Sequence, residues 1–245
     1  MKVLSIGNSF SQDAHRYIHD VAKADNYSMK TVDLYIGGCP LRKHYLNALE
    51  DTKAYSIEFN GVTTGFFTSI KEALMSDEWD IVTLQQVSHK SVDFTTYEPY
   101  LSFMKEYILK YCPKARIYIH QTWAYEDGSE RLFQVAGYPT GAAMFEDVRD
   151  AYDNAAKLIQ AEGIIPSGAL LRYLLEHGIA KVHEDTFHAS IGLGRYALGL
   201  LWYHMITGRS VSQNTFRDFD KPVPEEEIQI AASYIDTLEP ILHLQ

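Results

Sequence analysis

Met1-Lys2-Val3-Leu4-Ser5-Ile6-Gly7-Asn8-Ser9-Phe10-Ser11 is the stretch from which the fold is read. Val3, Leu4 and Ile6 make a short apolar run that stops at Gly7, as a buried strand does. The next segment, 12–24, places Ile18, Val21 and Ala22 on one helical face. A strand followed by a helix that covers it is the unit of a mainly parallel sheet, and in such sheets ligands gather beyond the carboxyl ends of the strands. Ser9 stands at such an end.

The alternation continues along the chain. Strands are expected at 31–36, 80–84, 115–120 and 163–165, with helices at 41–49, 68–76, 97–111, 142–160, 169–176, 191–206 and 224–242. This predicts an α/β fold, a three-layer sandwich with a five-stranded, mainly parallel sheet and helices on both faces, formed by one domain over 1–245. Asn60-Gly61 between β-prone residues predicts a hairpin, read as an insertion at 55–67. Thr68 is the expected cap of the helix that follows it. Segment 121–140 has no sustained period and reads as a long loop at the site, carrying Trp123, Tyr125, Phe133 and Tyr138.

Composition narrows the function. A net charge of −10 opposes binding to nucleic acid, whose affinity comes largely from Lys and Arg displacing counterions. No apolar run approaches the roughly 20 residues that cross a bilayer, and the first residues lack the stages of a secretory signal. A cytoplasmic protein is expected, although a chain from which a leader had been cut would read the same. Cys39 and Cys112 lack metal-like spacing and read as two free thiols.

Asp185-Thr186-Phe187-His188 supplies the second half of the chemistry. A carboxylate three residues before an imidazole can share its loop and hold one ring nitrogen while the other faces a hydroxyl. Ser9, Asp185 and His188 then make a nucleophile, an orienting acid and a base. The alternative for the pair is a capping Asp followed by a surface His. A metal held by His183, Asp185 and His188 is not expected, because no second cluster supplies further ligands. No cofactor is implied. His15, His19 and His44 read as surface or groove residues.

Gly7-Asn8-Ser9-Phe10-Ser11, the glycine pair Gly37-Gly38 and Asp185-x-x-His188 together resemble the blocks of the SGNH (GDSL-type) hydrolases. Tyr35-Ile36-Gly37-Gly38-Cys39, Thr83-Leu84-Gln85-Gln86 and His120-Gln121-Thr122-Trp123-Ala124 look more narrowly like one bacterial branch of that family. The resemblance covers most of the chain and implies a flavodoxin-like fold. It also implies a serine esterase working through an acyl-serine, with the Ser9 and Gly38 backbone N–H groups as oxyanion donors. Two departures stand out: Asn8 replaces the family's Asp, and the third-block Asn has no counterpart but Gln85-Gln86, of which Gln86 is the expected third donor. Substrate contacts are expected from Gln85, Gln121, Trp123 and Tyr125, with Tyr138 as a further stacking face and Arg42 as the partner of an acidic sugar. The expected substrate is a small-molecule or oligosaccharide ester, an O-acetylated carbohydrate first. A thioesterase or lysophospholipase, or a carbohydrate-binding domain with a dead site, are the alternatives.

Overall fold

The computed structural model describes residues 1–241. Its strands are β1 (Lys2–Gly7), β2 (Lys30–Tyr35), β3 (Tyr55–Phe59), β4 (Val62–Thr68), β5 (Ile81–Leu84), β6 (Arg116–Gln121) and β7 (Gly163–Pro166). The helices are α1 (Ser9–His15), α2 (Ile18–Ala24), α3 (Leu41–Glu50), α4 (Ile70–Met75), α5 (Tyr100–Tyr111), α6 (Gly141–Ile159), α7 (Ser167–Glu176), α8 (Leu193–Thr207) and α9 (Glu225–Ile235). A π-helical turn at Arg131–Ala136 interrupts the long segment after β6.

One seven-stranded sheet runs β4-β3-β2-β1-β5-β6-β7. The five strands from β2 to β7 are parallel, and they are the five expected from sequence. The count of five is corrected to seven because the hairpin joins the sheet: β3 pairs antiparallel with β2 and β4 with β3, carrying the sheet two strands further. Its turn has Asn60 at φ 50° and Gly61 at φ 79°, the left-handed pair of a tight hairpin. A Cβ on Gly61 would also lie 2.3 Å from the Arg16 carbonyl oxygen, so glycine is required there twice over.

β1 is central, and its apolar run follows from burial on both faces: Val3, Leu4 and Ile6 are fully covered, each contributing about 2 kcal/mol relative to exposure. One layer packs α1, α2, α7, α8 and α9 together, and the other packs α3, α4, α5 and α6. The helix expected at 12–24 is two helices, broken at Arg16-Tyr17, with Tyr17 buried. Ser69 rather than Thr68 caps α4, closing a reciprocal box with Glu72. α9 opens on three glutamates, as the helix dipole favours, and stops at Ile235; the expected end of that helix at 242 lies outside the described residues. Both cysteines are buried free thiols. Among the described residues no helix is long and apolar enough to cross a membrane, and no three His, Cys, Asp or Glu side chains gather as metal ligands would.

Candidate active site

The parallel strands end on one rim. Ser9 begins α1 immediately beyond β1, and its Oγ lies 2.8 Å from His188 Nε2 although 179 residues separate them. His188 Nδ1 lies 2.8 Å from Asp185 Oδ2, while Asp185 Oδ1 accepts the His188 backbone N–H at 3.0 Å. Since a carboxylate only accepts, Nδ1 carries the ring proton, leaving Nε2 to receive the Ser9 hydroxyl proton. Partial burial pushes the Asp185 carboxyl up, but the two hydrogen bonds from His188 and its nearby charge outweigh this and hold it below its ordinary value.

Ser9 is placed from beneath. Asn8 caps α1 by accepting the Phe10 N–H, and its amide donates to the Cys39 carbonyl at 3.2 Å. A carboxylate could do the first but not the second. The asparagine thus ties the start of α1 to the loop after β2, where Gly38 has φ 62°. Asn8 Oδ1 also accepts from Gln85 Nε2, whose Oε1 accepts from His120 Nδ1 at 2.5 Å. Ser167 Oγ, accepting from Trp202, donates to His120 Nε2. Every member of this chain is buried, and burial first, then the neighbouring His15, holds His120 down at about 3, so it stays neutral.

His188 is placed from the side. The loop is pinched by a bridge between His183 and Ala189, and Thr186 adopts φ 78°, a strained conformation for a β-branched residue. Three bonds pin it. Asp13 Oδ2, one turn along α1 from Ser9, accepts the Ala189 N–H at 2.8 Å; Trp123 Nε1 donates to the Phe187 carbonyl at 2.7 Å; Glu126 N donates to the Thr186 carbonyl at 2.8 Å. Asp13 is also paired with Arg195 at 2.9 Å. Burial raises its carboxyl to about 6, against the opposing pull of Arg195 and the Ala189 N–H.

A cavity of about 300 Å³ opens above these residues, lined by Ser9, Tyr35, Gly38, Ser88, His89, Arg131, Phe187 and His188 among others. Ser9 N–H and Gly38 N–H have no hydrogen-bond partner among the described residues. A larger groove of about 420 Å³, lined by Leu49, Phe103 and Tyr107, holds no serine, cysteine or histidine.

Several sequence expectations are corrected. Gln86 is absent from the cavity wall, and its amide is spent: Nε2 donates to Thr96, while Oε1 accepts from the Leu41 and Val87 N–H groups. It therefore has no donor to offer an oxyanion. Gln85 is buried in the chain beneath Asn8, and buried Gln121 accepts from the Ala169 N–H. Trp123 and Tyr125, each 1% exposed, offer no stacking face to a ligand. Trp123 lies under the histidine loop, stacked on Phe10 at 4.1 Å, and the Tyr125 hydroxyl meets Ser88. Tyr138 bonds Asp147 and Arg42 is exposed, both outside the cavity lining. His15 and His44 are buried, not surface, and desolvation lowers both to about 3.

Four residues escaped sequence reading: Asp13, Tyr35, His89 and Arg131. Asp13 had a signal, since it lies four residues beyond Ser9 on one helical face. Arg131 had only its place in the long segment after β6.

The fold is that of the SGNH hydrolases of known structure. The chain is similar to a protein of Slackia heliotrinireducens assigned as an SGNH hydrolase, with TM-score 0.60 and 22% identity over 83% of this chain and 97% of that one. It is also similar in fold to the acetylxylan esterase Axe2 of Geobacillus stearothermophilus, with TM-score 0.50 and 14% identity over 83% of this chain and 90% of that one. No curated protein sequence matches it. Residues 2–235 match the family described as a domain of unknown function, DUF4886, and the chain belongs to that family. A DUF4886 family protein of Bacteroides uniformis superposes with TM-score 0.88 and 28% identity, covering 96% of this chain and 93% of that one.

Proposed function

We propose that this protein is a serine ester hydrolase that removes a short acyl group, an O-acetyl group of a carbohydrate, through an acyl-serine. The observation that carries this reading is the unbroken contact from Ser9 Oγ through His188 to Asp185 at the mouth of a cavity. A serine hydroxyl is a weak nucleophile near neutrality, and a neutral imidazole at 2.8 Å is the base it needs. As Ser9 Oγ bonds to the ester carbon, its proton passes to His188 Nε2 and Asp185 stabilises the imidazolium. Negative charge on the former carbonyl oxygen would meet the Ser9 and Gly38 N–H groups, each such donor being worth roughly 3 kcal/mol of barrier. The imidazolium then protonates the departing alcohol, and water, deprotonated by the same histidine, releases the acid. The cavity volume lies at the small end for ligand sites, which supports a short acyl chain over a fatty one.

A fluorophosphonate probe and p-nitrophenyl acetate test the reading. The wild type is expected to be labelled and active, while Ser9→Ala loses labelling and about 10⁴-fold or more in kcat. An inert, folded wild type would leave a binding domain with a dead site. A nitrophenyl ester series that favours long chains would replace acetyl by a lipase-like substrate.

A further inference from the structure

Arg131 stands in the π-helical turn Arg131–Ala136 and lines the same cavity as Ser9 and His188. Six of the nine arginines in the chain form ion pairs with carboxylates. The Arg131 side chain has neither an ion pair nor a hydrogen bond among the described residues. Its guanidinium carbon lies 3.8 Å from the centre of the Phe187 ring and 5.6 Å from that of Tyr125. Contact with a ring face fixes a guanidinium while leaving its N–H edge unspent. In a chain with 32 acidic residues, a cation without a carboxylate at the wall of a cavity is a vacancy for an anion. Asp185, two residues from Phe187, is turned to His188 with both oxygens. His89, on the same wall, is held below its ordinary value by burial and then by Lys90 and Arg131, so the local field is positive.

We propose that Arg131 selects the substrate: the ester presented to Ser9 carries a carboxylate on the same small molecule, met by the Arg131 guanidinium, as in an O-acetylated uronic acid. One guanidinium suits a monoanion, and its planar fork matches the two oxygens of a carboxylate. This rests on the ester-hydrolase reading above and names the substrate class of the same site.

Rigid aryl acetates test it without knowledge of the natural alcohol. The full chain is assayed with 3- and 4-acetoxybenzoate, the matching uncharged acetoxybenzamides, and 4-acetoxyphenyl phosphate, each rate being divided by that for hydroxide. At low salt we expect kcat/KM for at least one benzoate to exceed that of its benzamide by about 10-fold or more, with the difference in KM. Arg131→Gln should bring that ratio to near one, and Arg131→Lys should retain part of it. A wild-type ratio near one for both isomers overturns the proposal. So does an Arg131→Gln variant that loses both partners alike, the mark of a structural role, or a preference for the phosphate over both benzoates. Fluorophosphonate labelling separates the two levels of inference. A labelled wild type without charge preference removes the carboxylate alone, whereas an unlabelled, inactive wild type removes the hydrolase reading and this one with it.

Discussion

The two partners of the 2.8 Å contact, Ser9 and His188, are held by different physics. The serine flank rests on a buried hydrogen-bond chain from Ser167 through His120 and Gln85 to Asn8, in which each donor has one acceptor and each side chain is shielded from water. The histidine flank is a short, half-exposed loop with a strained residue at its tip, pinned by three bonds from two segments: Asp13 of α1, and Trp123 and Glu126 of the segment after β6. Ser9 is thus placed by the sheet. His188 depends on a few distant anchors, and changes there should cost geometry out of proportion to the area involved.

The largest effect is expected at Asp13, the residue common to both flanks. Asp13→Ala leaves Arg195 without its partner and the Ala189 N–H without an acceptor. It should lower stability by about 3 kcal/mol, seen as a drop of about 9 °C in thermal melting, and reduce kcat by about 100-fold. If activity survives intact, the loop is held by something else. Asp13 also gives a pH signature. Its folded carboxyl sits at about 6 against an ordinary 3.8, so its contribution to stability is present below 3.8 and lost as pH rises through about 6. Wild type should lose up to about 3 kcal/mol relative to Asp13→Asn across that window; a pH-independent difference would mean that Arg195 keeps the carboxylate charged throughout.

On the serine flank, Asn8→Asp sets a carboxylate against the Cys39 carbonyl where an amide now donates. A loss of about 2 kcal/mol in urea unfolding and about 10-fold in kcat is expected, the latter because the Gly38 loop is released. An active, equally stable variant would show that an Asp works at this position and that the tie is dispensable. Trp123→Phe is milder: it keeps the stack on Phe10 and removes only the donor to the Phe187 carbonyl. About 1 kcal/mol and a few-fold loss of kcat should follow, sharpening the contrast if kcat suffers more than stability. The smallest change has the opposite sign. Thr186→Gly relieves a β-branched residue at φ 78° and should raise melting slightly, by about 0.5 kcal/mol, while slowing turnover through a looser loop.

Sequence pattern carried the five parallel strands because each is a short, mainly apolar run between segments of helical period, even where Ser5, Asp33 and Thr83 interrupt it. It carried the Asn60-Gly61 turn because only such residues accept two left-handed positions in succession. It did not disclose that the hairpin joins the sheet, since pairing of β3 with β2 depends on register across 20 and more residues, which local pattern does not encode. Ser9, Asp185 and His188 were singled out because spacing and residue type alone suggest their contact. Gln86, Trp123 and Tyr125 were misread for one reason: a polar or aromatic side chain at a strand end serves a ligand or the protein itself, and burial decides which. Arg131 gave no periodic signal, and its significance lies in a partner it lacks.

The 179-residue span between Ser9 and His188 has a consequence for how the protein is made. During synthesis β1, β2, β5 and β6 are all translated before residue 188, so a ribosome-bound intermediate can expose Ser9 on a finished rim with no imidazole to deprotonate it. The contact between Ser9 and His188 therefore forms only after the last quarter of the chain has been made and has docked on the rim.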